Sequence, residues 1–167
     1  ESTVLDMFIF QTGKKYGKKT VGLEDATGSI LPLLSLAADE IAPPEENRAT
    51  LIKMAKNKNF FEVIKQYYRE KDIVMLDSLF RLAMSKKAHD MLITTRNVTM
   101  VKSMDSLAKK GSLFSAVGAA HLAGDHGIIK LLRDKGYTVN PIVDNFTDNG
   151  KDKKKEIEAY FPNPGFE

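Results

Sequence analysis

One histidine of the chain occupies a position where it could do chemistry. His121 follows residues 113–117, a compact apolar run that predicts a buried strand, and a turn that begins with Gly118, where close backbone approach or a positive φ is expected. Because ligands of open α/β sheets gather outside the carboxyl ends of strands, we expect a ligand site at His121. A helix predicted to begin near Asp125 would keep the imidazole neutral, as metal binding requires. A turn histidine that hydrogen-bonds to the backbone is the competing interpretation.

A carboxylate ends a second predicted strand. Glu24 closes residues 18–24 and is followed by Asp25. If this strand lies parallel to residues 113–117 in one sheet, Glu24 and His121 emerge at the same edge. A carboxylate and an imidazole at that edge could bind a divalent metal or share proton transfer. An acid at a strand end could equally cap the next helix.

A long helix predicted over residues 86–109 carries two polar side chains on its apolar face. That face is made of Ile93, Met100, Met104 and Leu107. Arg96 and Asn97 fall within it, and both should have partners because unpaired buried polar groups are costly. Glu24 is the expected partner of Arg96, although a purely structural salt bridge would have the same pattern. If that pair is buried, loss of Arg96 should cost about 3–5 kcal/mol.

The elements that must position these side chains are mostly helical. Apolar spacing and capping residues predict further helices over residues 3–16, 29–41, 45–57 and 151–160, a helix with an aromatic core stripe over residues 60–68, and helices capped by Asp72 and Asp125. Residues 137–143 form a third predicted strand. The strand–helix–strand unit over residues 113–143 implies a right-handed parallel crossover. We therefore predict an α/β fold, a small, mostly parallel sheet with a large helical insertion, lacking its N-terminal part.

Composition excludes several classes of protein. The chain has 167 residues, which favours one domain, and it has no cysteine, which excludes disulfides and zinc–thiolate sites. A net charge of +3 is too small to argue for nucleic acid, and no basic-aromatic motif is present. No apolar run approaches the roughly 20 residues of a membrane span. No phosphate loop, nucleophile elbow or His-Glu-x-x-His motif occurs.

Several segments taken together resemble one family. The run from Val117 through His121 to Gly127, with its Gly-x-x-His motif, resembles the carboxyl-terminal signature of the TraB/GumN family, which is related to the TIKI and PrgY proteins. Three further segments match it in order: the Gly-Leu-Glu strand at residues 22–24, the Tyr-Tyr-Arg stretch at residues 67–69 with Asp72, and the Arg-Asn pair at residues 96–97. The resemblance covers nearly the whole chain.

The resemblance implies a metal-dependent hydrolase. It implies catalytic roles for Glu24, His121, Arg96 and Asn97, with Glu24 and His121 as ligands of a divalent metal such as Mn, Co or Zn. Binding roles follow for Gly118 and Asp125. The TIKI branch is described as metalloproteases and the TraB/PrgY branch as pheromone-shutdown proteins, so a peptide or small protein is the implied substrate. The cell envelope or the exterior is the implied location.

The chain also departs from the family pattern. The family has an earlier Gly-x-x-His motif, which does not precede Glu24 here, and Asp25 and Gly28-Ser29 stand where the family usually has a Thr and a Gln. Residues 1–167 therefore resemble a single, incomplete domain, its carboxyl-terminal two-thirds, whose site is incomplete in this chain. Two functions stay open: a metal-dependent, peptidase-like hydrolase, and a non-catalytic protein that binds or sequesters a peptide or pheromone.

Overall fold

The chain folds into helices joined by turns and irregular segments. A computed structural model describes residues 5–25, 27, 31, 34–36, 38–55 and 59–142; the helix predicted over residues 151–160 and part of that over 29–41 lie outside these residues. The α-helices whose bounds fall within the described residues are α1 (Leu5–Lys15), α2 (Ala38–Ile41), α3 (Glu45–Ala55), α4 (Phe60–Arg69), α5 (Ile73–Ala83), α6 (Lys86–His89), α7 (Thr95–Ala108) and α8 (Ile128–Asp134). A π-helical segment, Asp90–Thr94, joins α6 to α7, and a 3₁₀ turn, Ala119–His121, precedes α8.

The segments predicted as strands are not strands. Residues 18–24, 113–117 and 137–142 run as irregular chain, and the described ranges contain no β-strand. The predicted α/β fold with a parallel sheet is therefore wrong for this part of the chain. Apolar residues favour a strand only where neighbouring strands complete the hydrogen bonds and cover a face. Here Leu113 is 40% exposed and Phe114 is 79% exposed, so the run is not the interior of a sheet.

Two of these irregular segments still reach the core, through one side chain each. Leu23 and Val117 pack against a cluster of buried side chains. The cluster consists of Met100, Val101 and Met104 from α7 and Ile128 from α8. Because Leu23 precedes Glu24 directly and Val117 lies four positions before His121, packing on α7 does what a shared sheet edge was expected to do. It brings both segments to one helix.

The long helix predicted over residues 86–109 is confirmed, with one irregularity. The helical backbone runs from Lys86 to Ala108 without a break, and Asp90–Thr94 within it is π-helical. A π turn takes an extra residue, so it rotates the side chains that follow relative to those before it, and such turns are frequent at functional sites. Ile93 and Met100 are buried, as the sequence predicts.

Capping explains where two of the helices begin. The Asp72 carboxylate accepts a hydrogen bond from the Met75 amide at 2.9 Å, which confirms its predicted N-cap role for α5. The predicted N-cap role of Asp125 is wrong. Helix α8 begins only at Ile128, and Gly127 occupies the position before it.

The prediction that the aromatic stripe of α4 forms core is also wrong for three of its four aromatic side chains, whereas Tyr67 is partly buried. Phe61 is 73% exposed and Tyr68 is 61% exposed, whereas Val63 is buried. Helix α4 packs against α5. Helical spacing identifies an apolar face, but it does not show which part of that face the neighbouring helix covers.

Gly127→Ala should destabilise the fold. A Cβ at Gly127 would lie 2.1 Å from the carbonyl oxygen of Ala123 and 2.5 Å from that of Leu122, and these backbone atoms cannot swing aside. Overpacking costs about 1–3 kcal/mol, and we expect the upper end in urea unfolding followed by circular dichroism. Gly118→Ala is the matched control, because a Cβ there would lie 3.6 Å from His121 Cδ2, an ordinary contact. Equal losses in the two variants would contradict this account.

Candidate functional site

Arg96 and Glu24 form the ion pair that the sequence predicts. Nε of Arg96 lies 3.0 Å from Oε1 and 3.1 Å from Oε2 of Glu24, and Nη2 also donates to Oε1. The side chains are 25% and 13% exposed, so both are largely withdrawn from solvent. The hydrogen bonds to Glu24 raise the pKa of Arg96, which keeps the guanidinium charged. The prediction that Arg96 points into the protein and pairs with Glu24 is confirmed.

Asn97 is fully buried and joins two parts of the chain that follow α7. Its Nδ2 donates to the backbone carbonyl of His126 at 2.8 Å, and its Oδ1 lies 2.6 Å from Nδ1 of His121. A backbone carbonyl can only accept, so the amide group of Asn97 must turn its NH₂ towards His126 and its oxygen towards the ring. Both polar groups of this buried amide are therefore used, as a buried amide requires.

This arrangement fixes the tautomer of His121. Because Asn97 Oδ1 can only accept a hydrogen bond, Nδ1 of His121 must carry the proton. In the neutral ring Nε2 then has an unprotonated lone pair. That nitrogen can accept a proton or bind a metal ion.

The surroundings of His121 favour its neutral form. Burial lowers the pKa of the imidazole, the charge of Arg96 lowers it further, and the charge of Glu24 acts in the opposite direction. The sequence predicts a neutral ring for another reason, the amino terminus of a nearby helix. Since α8 begins only at Ile128, burial and the neighbouring guanidinium are the causes that the structure supports.

The turn before His121 is built differently from the prediction. The His121 amide donates to the Gly118 carbonyl at 3.0 Å, which closes the 3₁₀ turn. Gly118 has φ −63°, which excludes a positive φ, one of the two alternatives that the sequence left open for this glycine. Asp125 is exposed, and in the described residues it forms no hydrogen bond with Glu24, Arg96, Asn97 or His121. Its predicted binding role stays a prediction.

A cleft of about 750 Å³ opens beside the ion pair. Its lining includes Glu24 and Arg96, whereas His121 lies outside it. The rest of the lining comes from the 22–27 segment and from hydroxyl side chains of α7: Gly22, Leu23, Asp25, Thr27, Thr95, Thr99 and Ser103. A cleft of this volume falls in the usual range for ligand sites.

The described residues offer two donors to a metal rather than a complete set. His121 Nε2 is one, and an oxygen of Glu24, shared with Arg96, is the other. No group of three or more His, Cys, Asp or Glu residues in the described ranges could hold a metal ion. A third His, Asp or Glu ligand would have to come from outside those residues.

The backbone carbonyl of His126, which orients Asn97, was not predicted from the sequence. A carbonyl carries no signal of its own in a sequence. The available clue was Gly127, whose lack of a Cβ allows the tight turn in which this carbonyl lies.

Comparison with known families identifies the chain. The sequence model of the TraB/PrgY/gumN family matches residues 1–141 of the 167, and the chain belongs to this family. The matched region contains the four side chains of the site: Glu24, Arg96, Asn97 and His121. No curated protein and no solved structure matches the chain. That the chain corresponds to the carboxyl-terminal two-thirds of the family's domain stays a prediction.

Within the described ranges, no helix combines the length and the apolar character that crossing a bilayer requires.

Arg96→Ala should destabilise the protein by about 3 kcal/mol, because it leaves the largely buried Glu24 carboxylate without its partner. Urea unfolding measures the loss. Arg48→Ala is the matched control, since the Arg48–Glu45 pair is exposed, at 59% and 79%, and should contribute less than about 1 kcal/mol. If Arg96→Ala costs no more than Arg48→Ala, the Arg96–Glu24 pair does not hold the 18–24 segment to α7.

Proposed function

We propose that this chain carries the site of a metal-dependent hydrolase, with His121 and Glu24 as ligands of a divalent ion and peptides as substrates. The hydrogen bond between Asn97 Oδ1 and His121 Nδ1 is the observation that supports this most directly. Family membership supports the same class of site. We assign a role to each of the four side chains below.

The hydrogen bond that His121 Nδ1 makes with Asn97 supports the proposed role of His121 as a metal ligand. Histidines that bind metals nearly always donate their other ring N–H to an oxygen, which sets the tautomer and the ring orientation. Asn97 Oδ1 is that oxygen here, and Nε2 is left for the ion. Because burial and Arg96 keep the pKa of the ring low, little proton competition at Nε2 is expected near neutral pH.

Glu24 is held in place by Arg96. Oε1 accepts from both Nε and Nη2 of Arg96, whereas Oε2 accepts from Nε alone and keeps a lone pair, so Oε2 could bind an ion without breaking the pair. Arg96 would then orient the carboxylate and balance its charge. When bound, a divalent ion supplies Lewis acidity to a hydrolytic site.

The cleft beside Glu24 is the proposed substrate site. Its volume suits a few residues of a peptide, and the hydroxyls of Thr95, Thr99 and Ser103 could hydrogen-bond to a peptide backbone. The preference for a peptide over other polar ligands rests on the family.

A second candidate is a protein that binds a peptide in this cleft without cleaving it. The observation that favours it is the commitment of both Glu24 oxygens to Arg96. Such a pair could serve only to shape the cleft, in which case no metal is needed.

Calorimetric titration of the chain with Mn²⁺, Co²⁺ and Zn²⁺ tests the proposal. The wild type should bind at least one of these ions, and His121→Ala and Glu24→Gln should abolish binding. Asn97→Ala should weaken it by about 10–100-fold, because it removes the hydrogen bond that orients the His121 ring. His126→Ala is the matched control, because it removes an exposed imidazole and keeps the backbone carbonyl that Asn97 uses.

Equal binding by all of these variants would exclude His121 and Glu24 as ligands. Incubation with a peptide library, followed by mass spectrometry, then separates the two candidates. Cleavage that needs metal and His121 supports the hydrolase. Retention of intact peptides, with or without added metal, supports the binding protein.

A further inference from the structure

Helix α5 carries an ion pair that lies outside the four-residue site. Nε of Arg81 donates to Oδ2 of Asp77 at 2.8 Å, one helical turn apart. Asp77 is a buried residue, 9% exposed, whereas the side chain of Arg81 is 41% exposed. A carboxylate this far from water is seldom found without a partner, because an unpaired buried charge is costly.

The backbone of Gly124 rests against this pair. A Cβ at Gly124 would lie 2.7 Å from Nη2 of Arg81 and 2.9 Å from each carboxylate oxygen of Asp77. Gly124 also has φ +85°, which side chains with a Cβ rarely adopt. Helix α5 packs against the 3₁₀ turn Ala119–His121 as well. The Asp77–Arg81 pair therefore forms part of the surface against which the loop between His121 and α8 packs.

The loop between His121 and α8 orients the His126 carbonyl, which accepts a hydrogen bond from Asn97. The Gly127 amide donates to the Gly124 carbonyl at 3.0 Å, which closes a four-residue turn with His126 at its third position. The position of Gly124 thus sets the direction of the His126 carbonyl. This carbonyl accepts from Nδ2 of Asn97, and Oδ1 of the same amide accepts from His121.

We infer that Asp77 and Arg81 are positioning residues for His121, and that they fix its tautomer through Gly124, the His126 carbonyl and Asn97. The inference rests on the proposed function only in taking Nε2 of His121 as the working nitrogen. Loss of the ion pair should let Gly124 shift and turn the His126 carbonyl away from Asn97. The amide could then rotate and offer its NH₂ to the ring, which favours a proton on Nε2.

The tautomer of His121 is the readout, because a purely structural role for the pair would not alter it. Nitrogen-15 spectra of the histidine rings, recorded at mildly alkaline pH and without metal, separate a protonated ring nitrogen from an unprotonated one. In the wild type, Nδ1 of His121 should be the protonated nitrogen. In Asp77→Asn, which keeps the shape and removes the charge, both ring nitrogens should shift towards the values of a tautomer mixture.

Two more variants keep the experiment decisive. Arg81→Lys preserves the charge and loses the Nε contact, so it should produce a smaller shift of the same sign, and it takes over the test if Asp77→Asn does not fold. Glu62→Gln removes the exposed Lys65–Glu62 pair and should leave the His121 signals unchanged. Wild-type His121 signals in folded Asp77→Asn, or in folded Arg81→Lys if that variant has to replace it, would overturn the inference. Because no metal is present, this outcome is independent of whether the chain binds one.

Discussion

One fully buried amide, that of Asn97, connects the parts of this site. Its two polar groups bind one acceptor and one donor, the His126 carbonyl and the His121 ring. Neither bond can be reversed, because the carbonyl has no proton to give. Because the NH₂ of the amide faces the His126 carbonyl, its oxygen faces the His121 ring. Nδ1 of His121 therefore carries the proton, and Nε2 is left free. Asn97 is 0% exposed, and leaving its amide without hydrogen bonds would cost about 1–3 kcal/mol. This cost keeps the amide in the orientation that satisfies both partners.

Arg96, the residue before Asn97, fixes a second segment of the chain, residues 18–24, in a similar way. Arg96 and Asn97 are consecutive on α7, so their side chains leave the helix about 100° apart. Arg96 binds Glu24 and Asn97 binds His121. Leu23 and Val117 of the same two segments pack against the apolar cluster of α7 and α8. In the described residues, α7 thus brings the two segments together, as the edge of a sheet was expected to do. Side-chain hydrogen bonds and apolar contacts replace strand pairing.

The site was more predictable from the sequence than the fold. A polar pair on an apolar helix face needs partners wherever that helix lies, so Arg96 could be matched to Glu24 without knowing the architecture. The strands were predicted from apolar runs, and a strand also depends on neighbours that its own sequence does not specify. The π segment before Arg96 and the His126 carbonyl were missed, because both are properties of the backbone. Membership of the TraB/PrgY/gumN family is consistent with the residues of the site, while the hydrolase activity is our proposal.

We conclude that Asn97 fixes His121 with a proton on Nδ1 and a free lone pair on Nε2. Nitrogen-15 spectra of the ring in the wild type and in Asn97→Leu test it most directly, at a mildly alkaline pH where the imidazole is neutral. The account predicts one tautomer in the wild type, protonated on Nδ1, and a mixture in the variant. A wild-type ring protonated mainly on Nε2 would contradict it, since the nitrogen proposed to bind a metal would then be occupied by a proton.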